Sequence, residues 1–199
     1  MTGDLFPERI ETERLSLTRL SHEHVDLFAF YRICSADEGI EEVTRYMPWG
    51  PHSTVKETAE FVDGCQKRWD DGEGATYAIR PKEGEEGDGE IAGACGLTLD
   101  WDRRSADLGL WLRKRFWGRG YSGERAAAMI DLAFERLDLE LVSVTHHVEN
   151  GKSRSAIERY VEAHGGKREG TLRNWVPYGE EVADEVRYSI SREEYERTD

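Results

Sequence analysis

The sequence predicts an α+β fold of three layers, in which helices flank a mixed central sheet of about seven strands. Strand-like and helix-like segments alternate along the chain, and hairpins without an intervening helix occur early and late. The central observation is an apolar strand at residues 105–112 that leads through a basic, glycine-containing turn into an amphipathic helix ending near Leu137. We expect residues 1–199 to form one domain.

The first third of the chain predicts one strand and two helices. Residues 14–19 alternate as a strand, and Ser21 is expected to cap the first helix. An irregular connection at residues 35–51 carries Tyr46, Met47 and Trp49, which either line a binding site or pack beneath the loop. A second helix then begins after Ser53 or Thr54.

The rest of the chain supplies most of the sheet. Strands at residues 75–80 and 90–99 form a hairpin whose polar tip, residues 81–89, is expected to be solvated and unpacked. The remaining predicted elements are a strand at 139–148, a helix at 153–164, and two closing strands at about 167–175 and 182–190.

The composition is strongly acidic, with 41 Asp and Glu residues against 27 Lys and Arg and a formal net charge of -14. Such a surface repels nucleic acids and anionic membranes, so neither is an expected partner. It is typical of proteins that work in molar salt, where charges are screened within about 3 Å. The alternative is an acidic protein without that adaptation.

Targeting signals are not evident at the start of the sequence, and no apolar run is long enough to cross a membrane. The three cysteines are widely spaced and odd in number, which favours free buried thiols over disulfides or a zinc site. These features predict a cytoplasmic protein, either a monomer or a homodimer.

The turn after residues 105–112 predicts a pyrophosphate-binding site. Gly118 and Gly120 permit close backbone approach, and the amides that open the next helix point toward the turn. Four basic residues add positive charge in this acidic chain: Arg113, Lys114, Arg115 and Arg119.

Two classes of nucleotide cofactor fit this turn. Gly118, Gly120 and Gly123 match the G-x-G-x-x-G pattern of dinucleotide-binding folds, which also need an acid closing the next strand. Glu140 has roughly the right spacing but opens that strand. The second possibility is the R/Q-x-x-G-x-G/A signature of the GNAT acyltransferases, matched by Arg115, Gly118 and Gly120.

Further motifs occur in the order found in the RimJ/RimL-type acetyltransferases of that family, which the chain therefore resembles over nearly its whole length. The matches are E-T-x-R-L-x-L at residues 11–17, G-Y/L-W-L at 109–112, W-G-x-G-Y-x-x-E at 117–124, N-x-x-S at 150–153, I-E-K/R at 157–159, E-G-x-L-R at 169–173 and D-x-x-x-Y at 184–188.

The resemblance implies a GNAT-like fold and acetyl-CoA as co-substrate, with no metal. It also implies that the strands at 105–112 and 139–148 splay apart to hold the thioester. Pyrophosphate would bind the turn and pantetheine the strand before it. The residues implied for these contacts are Leu110, Trp111, Leu112, Arg115, Trp117, Gly118, Arg119, Gly120, Tyr121 and Ser122.

Asn150 and Ser153 have two possible roles. The resemblance implies that the Asn150 amide contacts pantetheine and that the Ser153 hydroxyl donates to the departing sulfur. Asn and Ser are also common helix caps, and a capping role is compatible with catalysis.

The reaction implied is direct attack of a neutral amine on the thioester, which needs a group to take the ammonium proton. Asp107 is the first candidate, and its alternative role is that of a solvent-facing strand carboxylate. His146 and His147 are further candidates, of which strand alternation places only one on the cleft side.

Three functions follow from these observations. The first is N-acetylation of a primary amine, with a protein N-terminal α-amino group as one acceptor. The second is acetylation of a small-molecule amine. The third is a non-catalytic domain that binds acyl-CoA.

Overall fold

The computed structural model describes residues 5–178 and 181–198, which form one eight-stranded sheet with helices on both faces. The predicted α+β fold is confirmed. One strand more than expected is present, because a three-residue strand near the N-terminus pairs with the first predicted one. The strands are β1 (Arg9–Glu11), β2 (Leu15–Arg19), β3 (Gly74–Pro81), β4 (Gly93–Asp100), β5 (Ser105–Leu112), β6 (Leu141–His147), β7 (Lys167–Tyr178) and β8 (Glu181–Ser191).

The strand order is β1-β2-β3-β4-β5-β6-β8-β7, and every neighbouring pair is antiparallel except β5 and β6. A dinucleotide-binding fold requires a mostly parallel, doubly wound sheet. The dinucleotide interpretation of the glycine turn is therefore wrong.

The helices divide between the two faces of the sheet. They are α1 (Leu27–Ala36), α2 (Ile40–Thr44), α3 (Val55–Asp71), α4 (Tyr121–Asp131), α5 (Gly151–Ala163) and α6 (Arg192–Glu196), and a π-helical turn at Leu132–Arg136 extends α4. One apolar cluster joins α1 and α3 to one face, and a larger cluster joins α4 and α5 to the other. This division produces the three predicted layers.

Two predictions about the N-terminal third need correction. Asp26, not Ser21, caps α1, since its side chain accepts a hydrogen bond from the Ala29 amide. Ser21 instead contacts His24 in the turn before the helix. The connection at 35–51 also contains the short helix α2, whereas the cap of α3 is Thr54, one of the two predicted residues.

The cysteines are free and buried, as predicted: Cys34, Cys65 and Cys95 all lie in the two apolar clusters. Burial raises the pKa of the Cys34 and Cys95 thiols to about 12, so neither is a nucleophile near neutral pH. Among the described residues, no helix is both long and apolar enough to cross a lipid bilayer.

Candidate active site

The sheet opens into a V between β5 and β6. These parallel strands pair only over Ser105 to Asp107 on β5 and Leu141 to Ser143 on β6. Beyond that point β5 continues along β4 and β6 continues along β8. Backbone groups on the facing edges of the V are consequently available to a ligand.

The turn beyond β5 has the geometry expected of an anion-binding site. A 3₁₀ turn at Lys114–Phe116 is followed by Gly118 and Gly120, whose φ angles are 76° and 82°. Gly120 is the N-cap of α4, and no side chain in the described ranges caps this helix. The amides at its N-terminus are therefore exposed to the turn with the positive end of the helix dipole.

The backbone amide of Trp117, which the resemblance places among the pyrophosphate contacts, is already used within the turn. Its N–H donates to the Lys114 carbonyl, so the series of free amides begins at Gly118. The Trp117 indole instead donates to the carbonyl of Leu112, which fastens the turn to the end of β5.

The turn is also held from the far side by the N-terminal segment. Arg14 donates through Nη1 to the carbonyl of Arg119, 2.9 Å away. Glu124, in the first turn of α4, accepts from the Arg14 amide, from Arg14 Nε and from Thr12 Oγ1. These bonds tie the Arg119 carbonyl and the first turn of α4 to the N-terminal segment.

Three arginines surround the buried ring of Phe116 beside this turn. The guanidinium carbons of Arg113, Arg115 and Arg119 lie 5.6, 4.5 and 5.5 Å from the ring centroid. The sequence does not distinguish Arg113 from the other basic residues of the turn. The second partner of Arg113 is Asp37, at 2.6 Å, which connects the cluster to the end of α1.

The hairpin tip between β3 and β4 is not the unpacked loop that its polar sequence predicted. Glu86 pairs with Arg119 at 2.7 Å, and Glu90 pairs with both Arg113 and Arg115. The polar sequence of the tip predicts exposure to solvent. Its ion pairs with arginines from a distant segment cannot be recognised from the sequence of the tip alone.

Asn150 is the N-cap of α5, and its Oδ1 accepts from the Ser153 amide at 3.1 Å. Ser153 lies inside the first turn and is not itself the cap. Its hydroxyl makes no hydrogen bond with any residue that the structure describes, so the oxygen remains available to a ligand.

A basic residue connects α5 to the glycine turn. Lys152 Nζ lies 4.2 Å above the Trp117 ring and 2.9 Å from a carboxylate oxygen of Glu42. Glu42 also pairs with Lys114 at 2.6 Å, and hydrogen bonds from Lys114 and Lys152 lower its pKa to about 2. These contacts connect the two sides of the V at its open end.

Asp107 lies at the closed end of the V, where its carboxylate accepts a hydrogen bond from Ser143 on β6. His146 is buried on the opposite face, with Nδ1 on the carbonyl of His147 and its ring stacked on Tyr188. The Nε2 atom of His146 has no partner within the described part of the chain. His147 is thus the histidine on the same face as Asp107.

His147 belongs to an aromatic cluster at the open end of the V. Its ring centroid lies 4.8 Å from that of Tyr46 and 5.2 Å from that of Tyr178. The Tyr178 hydroxyl donates to Glu185, which is 5% exposed and whose Oε2 has no partner among the described residues. Burial raises the pKa of Tyr178, and the hydrogen bond to Glu185 raises it further by a smaller amount.

Only Tyr46 and His147 of this cluster are candidate site residues in the sequence. The sequence left two roles open for Tyr46, Met47 and Trp49, lining a site or packing beneath the loop, and the structure divides them between these roles. Tyr46 contacts His147, while Met47 and Trp49 pack on the α1–α3 side. Tyr178 and Glu185 had no signal, because strand pairing alone brings Glu185 beside His147.

Sequence comparison assigns the chain to a family. Residues 14–160 match the model of the acetyltransferase (GNAT) domain. The match covers most of the chain and includes the glycine turn, both strands of the V and nearly all of α5. The protein therefore belongs to the GNAT acetyltransferases.

Two relatives of the chain are named as N-acetyltransferases. The chain is 25% identical over 189 residues to "Uncharacterized N-acetyltransferase p20" of Bacillus licheniformis, covering 94% of this chain and 98% of that protein. It is 35% identical over 110 residues to "Putative ribosomal N-acetyltransferase YdaF" of Bacillus subtilis, covering 55% of this chain and 58% of the relative.

Solved structures share the fold at lower identity. RimL, the ribosomal L7/L12 alpha-N-protein acetyltransferase, superposes with a TM-score of 0.76 at 18% identity, over 92% of this chain and 94% of RimL. The microcin C7 self-immunity acetyltransferase MccE, solved with acetyl-CoA and AMP, gives 0.78 at 17% identity, over 94% and 98% of the two chains.

Proposed function

We propose that residues 1–199 form a single catalytic domain that transfers the acetyl group of acetyl-CoA to the α-amino group of a protein N-terminus. The observation that carries this proposal is the V between β5 and β6 with the Gly118–Gly120 turn at its open end. The names of YdaF and RimL support a protein acceptor.

The donor would be held by backbone and side chain together. The free amides from Gly118 to Ser122 suit a pyrophosphate, and the unpaired edge of β5 at Leu110, Trp111 and Leu112 suits the amides of pantetheine. The side chains of Trp111 and Leu112 are buried, so only their backbone would take part. The Asn150 amide nitrogen has no partner among the described residues and would suit the same arm, since the cap uses only Oδ1.

The chemistry requires no covalent bond to the protein. An acceptor nitrogen forms the new C–N bond as the C–S bond of the thioester breaks, and the nitrogen loses a proton to a base. The Ser153 hydroxyl would donate to the sulfur as negative charge develops there. Free N–H groups on the edge of β5 would stabilise the carbonyl oxygen.

The acceptor would approach from the face that carries Tyr46, His147 and Tyr178. Aromatic walls and the buried carboxylate of Glu185 suit a cationic amine. His147 is the base that we favour over Asp107, because Asp107 lies where the strands are still paired and already accepts a bond from Ser143.

An acceptor screen tests the function. The protein is incubated with acetyl-CoA in molar KCl, with peptides of varied first residue, the same peptides blocked at the N-terminus, and free amines such as polyamines and amino sugars. Release of the CoA thiol is the measurement.

We expect turnover with a subset of free-N-terminus peptides and none with their blocked counterparts. Turnover with free amines alone would support the small-molecule alternative. Binding of acetyl-CoA without turnover of any amine would support the non-catalytic alternative and overturn the proposal.

A further inference from the structure

The hairpin tip at residues 82–90, here termed the acidic strap, lies on the arginines that flank the glycine turn. It contributes five acidic residues in nine positions, Glu83, Glu85, Glu86, Asp88 and Glu90. Three of these carboxylates contact the turn region, and the other two extend the negative charge around it.

The contacts are specific and shared between three elements. Glu86 reaches Arg119 at 2.7 Å, and Glu90 reaches Arg113 at 3.3 Å and also pairs with Arg115. Glu85 accepts a hydrogen bond from the hydroxyl of Tyr121, the first residue of α4, at 2.7 Å. Carboxylates therefore engage each arginine around Phe116 and the hydroxyl beside the helix N-terminus.

The strap packs against the turn as well as pairing with it. A Cβ atom added at Gly87 would lie 2.8 Å from the ring of Phe116, and φ at Gly87 is 80°. Only glycine allows the backbone to pass this close to the ring in this conformation. The sequence thus permits the strap to lie directly on the arginine cluster.

We propose that the acidic strap is a built-in competitor for the phosphate groups that the arginines of the glycine turn, Arg113, Arg115 and Arg119, would bind. The carboxylates of Glu85, Glu86 and Glu90 accept hydrogen bonds from donors that would bind the phosphate oxygens of a ligand. Carboxylate and phosphate oxygens make the same charge-assisted bonds to guanidinium, so one set replaces the other.

The exchange has a consequence for affinity. Each phosphate contact replaces an existing ion pair with the strap. The strap therefore weakens binding of the ligand, and the total number of ion pairs changes little when the ligand binds. Binding is therefore less sensitive to salt than it would be at a free arginine cluster. This inference rests on the proposed function, because the ligand considered is the phosphorylated end of CoA.

The test replaces Glu85, Glu86 and Glu90 with glutamine together. Calorimetry then measures the Kd of CoA and of dephospho-CoA from low to molar KCl. The matched control neutralises three exposed acids at the other end of the sheet that make no ion pair with any described residue: Glu73→Gln, Asp102→Asn and Glu135→Gln. It changes the net charge equally.

We expect the strap variant to bind CoA roughly 3- to 150-fold more tightly at low salt, the range for removing three ion pairs. Its affinity should also fall more steeply with salt, and the control should stay close to the wild type. A gain with CoA but not with dephospho-CoA would assign the cluster to the 3′-phosphate, and a gain with both would assign it to the pyrophosphate.

Unchanged or weaker CoA binding in the folded strap variant would overturn the proposal, as would an equal gain in the control. If neither the wild type nor the variants bind CoA, the proposed function fails instead. Circular dichroism on each preparation establishes that the variants are folded.

Discussion

Arg14 and Glu124 are 110 positions apart in sequence and form a clamp behind the glycine turn. The Glu124 carboxylate receives the backbone amide of Arg14 at 2.6 Å and its Nε at 2.8 Å, and Arg14 in turn donates to the carbonyl of Arg119. Two motifs that the sequence analysis matched separately, at residues 11–17 and 117–124, are thereby joined in one structural unit.

The clamp makes stability depend on pH. Burial alone raises the pKa of Glu124, but hydrogen bonds from Thr12 and Arg14 outweigh it and the net pKa is lowered. A carboxyl with a lowered folded-state pKa stabilises above its unfolded pKa and loses that contribution as pH falls through the folded value. We therefore expect Glu124→Gln to cost about 1–3 kcal/mol at neutral pH and progressively less below pH 4.5.

Denaturant unfolding of wild type and Glu124→Gln from pH 3 to 7 measures this difference. The control is Glu60→Gln, which loses only the exposed pair with Lys56 and should cost less than about 1 kcal/mol. Equal costs in the two variants, or a Glu124→Gln cost that does not change with pH, would contradict the clamp.

Ser153→Ala should lower turnover without lowering stability. The helix cap uses the Ser153 amide, which alanine retains, and the hydroxyl has no partner among the described residues. Loss of a donor to the leaving sulfur is expected to reduce kcat about 10- to 1000-fold. Steady-state kinetics and Tm on the same preparation measure both effects.

The matched variant is Asn150→Ala, which removes the cap. It should reduce the free energy of unfolding by about 0.5–2 kcal/mol. Normal turnover in Ser153→Ala would exclude the hydroxyl from the reaction.

His147 and Asp107 can be separated by the effect of their removal on turnover. A general base contributes about 100- to 10,000-fold to turnover, so His147→Asn is expected to reduce kcat within that range while the Kd of acetyl-CoA stays unchanged. Asp107→Asn is the matched variant and should retain a kcat close to that of the wild type. The opposite pattern would make Asp107 the base.

Folding should strengthen with salt because of the net charge of -14. The exposed ion pairs contribute little each, so screening of the repulsion between carboxylates is expected to dominate and raise Tm between low and molar KCl. The variant with Glu73, Asp102 and Glu135 neutralised serves as a control and should show a higher Tm at low salt with a shallower rise. A flat Tm would remove the argument for adaptation to high salt.

The sequence supported the fold well because the signals for its elements are local. The glycine turn could be located because Gly118 and Gly120, which permit positive φ angles, stand between an apolar strand and an amphipathic helix. Asn150 was identified by the N-x-x-S motif, with a helix cap as its alternative role, and it is the cap.

The prediction of Ser21 as the cap of α1 was wrong for a local reason: Ser21 and Asp26 are both good caps, and only the position where the helix begins separates them. The other errors arose where a residue's partner is distant in sequence. The hairpin tip was assigned to solvent from its polarity, although arginines about 30 positions later hold it. Glu185 and Tyr178 join the cluster around His147 only through the register of β6 and β8.

By itself the sequence determined the order of the elements, the position of the glycine turn and the concentration of positive charge around it, because backbone freedom and apolar periodicity are set by neighbouring residues. Only the tertiary structure decided what faces that turn. Ion pairs and strand register join residues that are far apart in the chain, so the placement of the acidic strap on Arg119 and of Glu185 beside His147 follows from packing of the whole sheet.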